Sequence, residues 1–153
     1  MIKKGLLLIT AALSLSACAS LNYRQLKRES AEWEFHINAG PCFKACAVYQ
    51  ASVDESGQLR YNGMSQTGFK GDTLIDLGRD FAYNLMLDLE AMDYLAIPDS
   101  NGLDSTIFDV QSIQYELISD GQSKKVACQL EEPQDLYRLR QVFNSKLKEL
   151  KLL

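Results

Sequence analysis

The chain has one histidine among its 153 residues, and only three prolines. A serine–histidine–acid site would therefore depend on His36 alone, and no G-x-S-x-G nucleophile turn is present. Cations are also short, with 16 Lys and Arg against 20 Asp and Glu, for a net charge of −4. They gather only at Lys146, Lys148 and Lys151, where they read as cations at a helix C-terminus facing the negative end of its dipole. Nucleic acid is excluded as a partner, because phosphate affinity comes from Lys and Arg. The oxygen-rich stretch Asp99–Ser105 lacks the D-x-D-x-D-G spacing and closing Glu of a calcium loop. There is no internal repeat and no low-complexity tract. These absences leave no catalytic residue, no metal ligand set and no cofactor, and the expectation is a protein that is not an enzyme.

The N-terminus is rich in signal. Lys3 and Lys4 precede the apolar stretch Gly5–Ala17, the layout of a secretory signal and too short for a comfortable membrane span. Leu15-Ser16-Ala17-Cys18 closes it and resembles a bacterial lipobox, in which Cys18 accepts diacylglyceryl and becomes the mature, N-acylated terminus. Each buried methylene contributes about 0.8 kcal/mol, so several acyl chains anchor firmly where one does not. Ala19 rather than Asp follows Cys18, which resembles the sorting pattern for an outer-membrane anchor facing the periplasm. The expected organisation is a signal peptide over 1–17, a lipidated Cys and tether over 18–31, and one domain over 32–151. Removing 1–17 takes away two lysines and no acid, so the mature chain is still more acidic.

Of four cysteines, lipidation of Cys18 leaves Cys42, Cys46 and Cys128 in an oxidising compartment. A Cys42–Cys46 bridge closes a very small loop, which always keeps the two thiols near, and contributes on the order of 2 kcal/mol. Cys46–Cys128 would contribute more, roughly 4–5 kcal/mol, but needs two neighbouring strands. The first pairing is favoured and the second stays open. Thiol-redox or soft-metal chemistry at Cys42 and Cys46 is the alternative function. It is weakened because a strand follows Cys46, so no helix dipole lowers a thiol pKa.

Along the chain, Trp33, Phe35 and Ile37 alternate with Glu34 and His36, a half-buried strand stopped by the breaker cluster Asn38–Pro41. Ala47, Tyr49, Ala51 and Val53 share one face of the next strand. Asp54–Gly57 turns it into a third, carrying Leu59 and Tyr61. From Thr73 the period changes, and Leu77, Phe81, Leu85, Leu89 and Met92 predict a well-buried helix running to about Tyr94. A loop over Pro98–Ser105 follows. Ile113, Tyr115 and Leu117, then Asp120-Gly121, then Val126, Cys128 and Leu130 predict a hairpin. Glu131-Glu132-Pro133 opens a final helix with Leu136, Leu139, Phe143, Leu147 and Leu150 on one stripe. The expected fold is α+β and two-layer: an antiparallel sheet with two amphipathic helices on one face.

The opening "GPCFKACAVY", the Asp120-Gly121 hairpin and the closing "EEPQDLYRLRQVF" resemble a small domain of unknown function found in bacterial lipoproteins and secreted proteins. Its pattern is G-x-C-F-x-x-C-P-x-Y, an Asp before a D-G hairpin, and a P-x-x-L-x-x-L helix. Cys42, Phe43, Cys46 and Tyr49 match the opening; Asp109, Pro133, Leu136 and Leu139 match the rest. Ala47 stands where the pattern has Pro, which would stiffen the loop. The resemblance implies the architecture and a Cys42–Cys46 pair, and no activity. Together these readings predict a lipid-anchored envelope domain that binds an envelope protein or other envelope component. Its binding surface would be the sheet face away from the helices, or an exposed edge strand.

Overall fold

The computed structural model describes residues 31–43, 45–104, 106–107 and 109–153. Glu32–Leu153 form one compact unit. The fold is α+β. Its strands are β1 (Trp33–Ala39), β2 (Val48–Asp54), β3 (Gln58–Ser65), β4 (Gly71–Asp76), β5 (Ser100–Asn101), β6 (Ile113–Ser119) and β7 (Gln122–Cys128). Its helices are α1 (Arg79–Ala91) and α2 (Gln134–Glu149), with a 3-10 turn at Tyr94–Ala96. The strands form one open sheet in the order β4-β3-β2-β1-β6-β7-β5, antiparallel except for the short β5–β7 pair.

Alternation along the strands divides the sheet into two chemistries. Trp33, Phe35, Ile37 and Ala39 of β1 are buried, while Glu34, His36 and Asn38 between them are only half-buried. Register extends the division sideways: Phe35 stands opposite Val53 and Leu117, and Ile37 opposite Ala51 and Tyr115. Tyr61 and Val126 continue the apolar row outward. Aromatic contacts bind this face, with Phe35 edge-on to Tyr94 at 5.8 Å and Tyr49 stacked near Tyr61 at 5.8 Å. Its polar tips are satisfied: the Tyr49 hydroxyl donates to Asn144 of α2 at 2.6 Å, and the Tyr61 hydroxyl to the Leu152 carbonyl at 2.8 Å.

Both predicted hairpins form. At Asp120-Gly121 both residues have positive φ, 50° and 74°, as a two-residue turn matched to strand twist requires. Gly57 also has positive φ, and a Cβ there would lie 2.1 Å from the Gly78 carbonyl oxygen, so this turn accepts no side chain.

Several boundaries differ from the sequence expectation. Asn38 and Ala39 belong to β1, where ladders on both sides outweigh the breaker signal. Thr73–Asp76 is strand, not helix, because it pairs with β3 from Gln58↔Asp76 to Tyr61↔Thr73. The helix starts only at Arg79, since Gly78 at φ 83° lies outside helical space. It therefore ends earlier too, at Ala91, with left-handed Asp93 redirecting the chain into the turn that buries Tyr94. Only Ala82, Leu85 and Leu89 of α1 are buried, fewer than its apolar stripe suggests. Ser100-Asn101, expected as loop, adds a short parallel strand. Leu130 lies past the end of β7 and is exposed; Leu150 caps α2, and Leu152 is buried beyond it.

Candidate functional site

The sheet's second face is polar and solvent-open. A shallow trough of about 680 Å3 runs over it, with His36, Asn38, Gln50, Arg60, Asn62 and Asp72 in its lining. Antiparallel register aligns side chains from neighbouring strands into rows, because directly paired residues share a face. One row reads Asp72, Asn62, Gln50, Asn38, Gln114 across β4, β3, β2, β1 and β6. The next reads Leu74, Arg60, Ser52, His36, Glu116, Lys125.

The second row and its surroundings are electrostatically closed. Arg60 lies 2.7 Å from Glu34 and 3.8 Å from Asp54, and Lys125 lies 3.5 Å from Glu116. The Ser52 hydroxyl donates to Glu34 at 2.7 Å. The Ser123 hydroxyl and then Lys125 hold the Glu116 carboxyl below the usual carboxylate range, against a smaller opposing effect of burial. His36 sits beside Glu34, as alternation predicted, with Nε2 3.3 Å from Oε2. That nitrogen is buried without a well-directed hydrogen bond. His36 is thus half-buried rather than a free surface residue.

The disulfide loop lies at the end of β1 far from Glu32. Cys42 and Cys46 are joined, with Cα atoms 5.8 Å apart. Phe43 at its tip is 80% exposed. The Gln111 side chain donates to the carbonyls of Gly40 at 2.7 Å and Ala47 at 2.8 Å, tying both arms of the loop together. This bridge supplies, by hydrogen bonding, restraint that a proline at position 47 would supply covalently. Cys128 is buried on the apolar face opposite Ile113, unpaired with either other cysteine. Burial, followed by the Glu132 charge, pushes its thiol pKa up to about 11, so it is protonated and unreactive at neutral pH.

A third cluster was not legible in the sequence. Glu132 accepts two hydrogen bonds from Arg140, at 2.9 and 2.6 Å, and a third from the hydroxyl of Tyr115. The acid and the arginine are only 14% and 18% exposed. Burial raises the Tyr115 pKa far beyond its ordinary value, and Glu132 adds to the effect. Every member is partnered, so the cluster is a structural clamp between β6 and the start of α2. Among the described residues, no group of three His, Cys, Asp or Glu side chains could hold a metal ion. Asp109 is exposed in a bend, and Asp76 lies on β4 rather than on a helix. Cys18 lies outside the described residues.

A family model for a domain of unknown function, DUF6438, matches residues 34–146. The chain belongs to the DUF6438 family. The match runs from β1 almost to the end of α2, so it takes in the disulfide loop, every strand and the clamp of this DUF6438 domain. No curated protein matches the chain. The Asn38–Gln50–Asn62–Gln114 row of the domain escaped sequence reasoning. Its only local signal is a carboxamide in each of four strands, two of them in β3, and pairing register alone makes Asn38, Gln50, Asn62 and Gln114 neighbours.

Proposed function

We propose that this DUF6438 protein is a lipid-anchored envelope lipoprotein whose folded domain is a non-enzymatic binding module using the open face of its sheet. The observation that carries the binding reading is the polar trough on that face, whose carboxamide row has no partner among the described residues. The anchor rests on Lys3, Lys4, the apolar stretch and Leu15-Ser16-Ala17-Cys18, with Cys18 as the acylated residue and Ala19 favouring the outer membrane, facing the periplasm.

In this reading the fold is two-layered, with both helices against the apolar face. Tyr49–Asn144, Phe35–Tyr94 and the 6.3 Å approach of Phe81 to Phe143 support it. Glu32 and Trp33, at the start of the folded unit, are tied to the two hairpins by Glu55 N–H to Trp33 O and Asp120 N–H to Glu32 O. The Cys42–Cys46 bridge serves as a staple in an oxidising compartment.

Two experiments test the reading. Radiolabelled palmitate should label the full-length protein, and Cys18→Ser should abolish the label and release the protein from the membrane fraction. Retained label in that variant removes the anchor. For binding, a photo-crosslinker placed at position 50 in intact cells should give specific adducts, absent when it is placed at exposed Val142 of α2. Identical adducts from both positions would remove the open face as the binding surface.

A further inference from the structure

We propose that the end of the sheet bearing the disulfide loop docks on a lipid bilayer, with Phe43 and Phe69 seated in its interface. The inference rests on the lipid-anchor reading and adds a second, non-covalent contact with the same membrane.

The two ends of the strands differ in what they expose. Where β1 finishes and β2 begins, neighbouring connections each present a large apolar side chain. Phe43 is 80% exposed in the β1–β2 loop and Phe69 40% exposed in the β3–β4 loop. Val110 is exposed before β6, and Leu130 after β7. Exposed Leu103 lies beside Leu130, whose N–H donates to the Gly102 carbonyl. The other end exposes acids instead: Glu32 before β1, Glu55 between β2 and β3, Asp76 closing β4, and Asp120 between β6 and β7. Among the described residues, no exposed large apolar side chain lies in those connections. An apolar patch gathered at one end of a fold marks an interaction surface.

Both aromatic loops are held in place by the fold. The Cys42–Cys46 bridge closes the loop that carries Phe43, and Gln111 ties its two arms through the Gly40 and Ala47 carbonyls. The Gly68 and Phe69 N–H groups both donate to the Leu152 carbonyl, at 3.0 and 3.3 Å, which fastens the second loop to the chain beyond α2. Loops already fixed in an open position lose little further freedom on docking.

Reach and arrangement identify what covers this end. Acylation of Cys18 brings a bilayer close to the domain. Residues 18–32 span at most about 50 Å, while the seven residues of β1 cover about 23 Å. The chain leaving Glu32 is therefore long enough for the opposite end to meet the same bilayer. The apolar side chains stand singly on separate loops across strands ~4.8 Å apart, so they meet a broad surface together. Apolar groups of peripheral proteins sink about 5–10 Å into the boundary between headgroups and acyl chains. Lys70 and Lys151 are exposed on the Phe69 side, and Asp109 and Glu131 beside Val110 and Leu130. These charges offset one another, so apolar insertion carries the contact.

The test reconstitutes the full-length protein, purified from membranes, into phosphatidylcholine–phosphatidylglycerol vesicles with and without bromine on the acyl chains. Bromine quenches tryptophan on contact. Trp33, the single native tryptophan, is buried at the opposite end and supplies the background. In Phe43→Trp, brominated vesicles should lower the added emission about twofold, and Glu55→Trp should show no such loss. The loss should persist in about 1 M salt, where charge attraction is screened. Phe69→Ser in the Phe43→Trp protein should cut the loss by about half. The proposal is overturned if position 43 is unquenched in vesicles that carry the protein, if position 55 is quenched equally, or if Phe69→Ser changes nothing. A protein partner or a second copy seated on this end gives the first of these results. Flotation separates the two levels. Protein that floats without quenching at position 43 keeps the anchor and removes the docking; protein that does not float removes both.

Discussion

The two faces of the sheet are built by the same strands and follow opposite rules. On the apolar face every phenol finds a partner: Tyr49 with Asn144, Tyr61 with Leu152, Tyr115 with Glu132. On the polar face Arg60 pairs with Glu34 and Lys125 with Glu116, yet four carboxamides aligned by register have no protein partner among the described residues. A buried polar group without a partner costs about 1–3 kcal/mol, so the first face is complete because folding requires it. Solvent satisfies the second face in the free protein, so folding does not dictate its composition. Polar side chains that stability does not need are where a function is best sought.

That contrast can be broken or sharpened by substitution. The largest loss is expected for Phe143→Ala, which removes a buried ring of α2 beside Phe81 and should cost about 3–5 kcal/mol in urea unfolding. Glu132→Ala should cost about 3 kcal/mol, because it leaves Arg140 mostly buried and unpaired. Tyr115→Phe should cost no more than about 1 kcal/mol, since only one hydrogen bond is lost. If the two variants proved equal, the clamp would be a packing feature and not an ionic one.

Reduction of Cys42–Cys46, or paired substitution by Ser, should lower stability by about 2 kcal/mol. The Gln111 bridge should keep the loop in place, so amide shifts of Gly40 and Ala47 should change little. Large shifts there would make the staple, not Gln111, the determinant of the loop.

Acid should weaken the hairpin end and the polar face together. Burial alone would raise the Asp54 pKa, but hydrogen bonds from the Ser56 hydroxyl and the Gln58 and Ser56 N–H groups outweigh it and hold the carboxyl low. Glu116 is lowered by Ser123 and Lys125. Folded values below the unfolded ones contribute stability that is present above about pH 4 and lost as pH falls through the folded values. The urea midpoint should therefore drop on acidification into that range. Asp54→Asn should flatten the drop, and an unchanged profile would remove Asp54 from the account.

The smallest effect is expected on the face proposed to bind. Gln50→Ala with Asn62→Ala should change stability by no more than about 0.5 kcal/mol, because neither carboxamide has a partner to lose among the described residues. A larger destabilisation would show that this row belongs to folding and would weaken its reading as a site.

Much of the architecture was legible in local pattern. Period-two alternation at Trp33–Ile37 and Ile113–Leu117 placed strands, and Leu136, Leu139, Phe143 and Leu147 placed α2, because one buried face imposes its period on any element. The boundary at Thr73 misled for a physical reason. The apolar residues of β4 run into those of α1, and only the ladder with β3 and the positive φ of Gly78 separate them. Asn38 was hidden likewise, since a breaker cluster says nothing of partners on either side.

The sequence by itself determined the α+β class, both hairpin turns and the proximity of Cys42 to Cys46, because each depends on residues close along the chain. Tertiary structure alone decided that Cys46 pairs with Cys42 and not with Cys128, the Tyr115–Glu132–Arg140 clamp and the carboxamide row on the open face. Those arise from strand register and helix docking, which bring together residues up to dozens of positions apart and leave no periodic trace in any one segment.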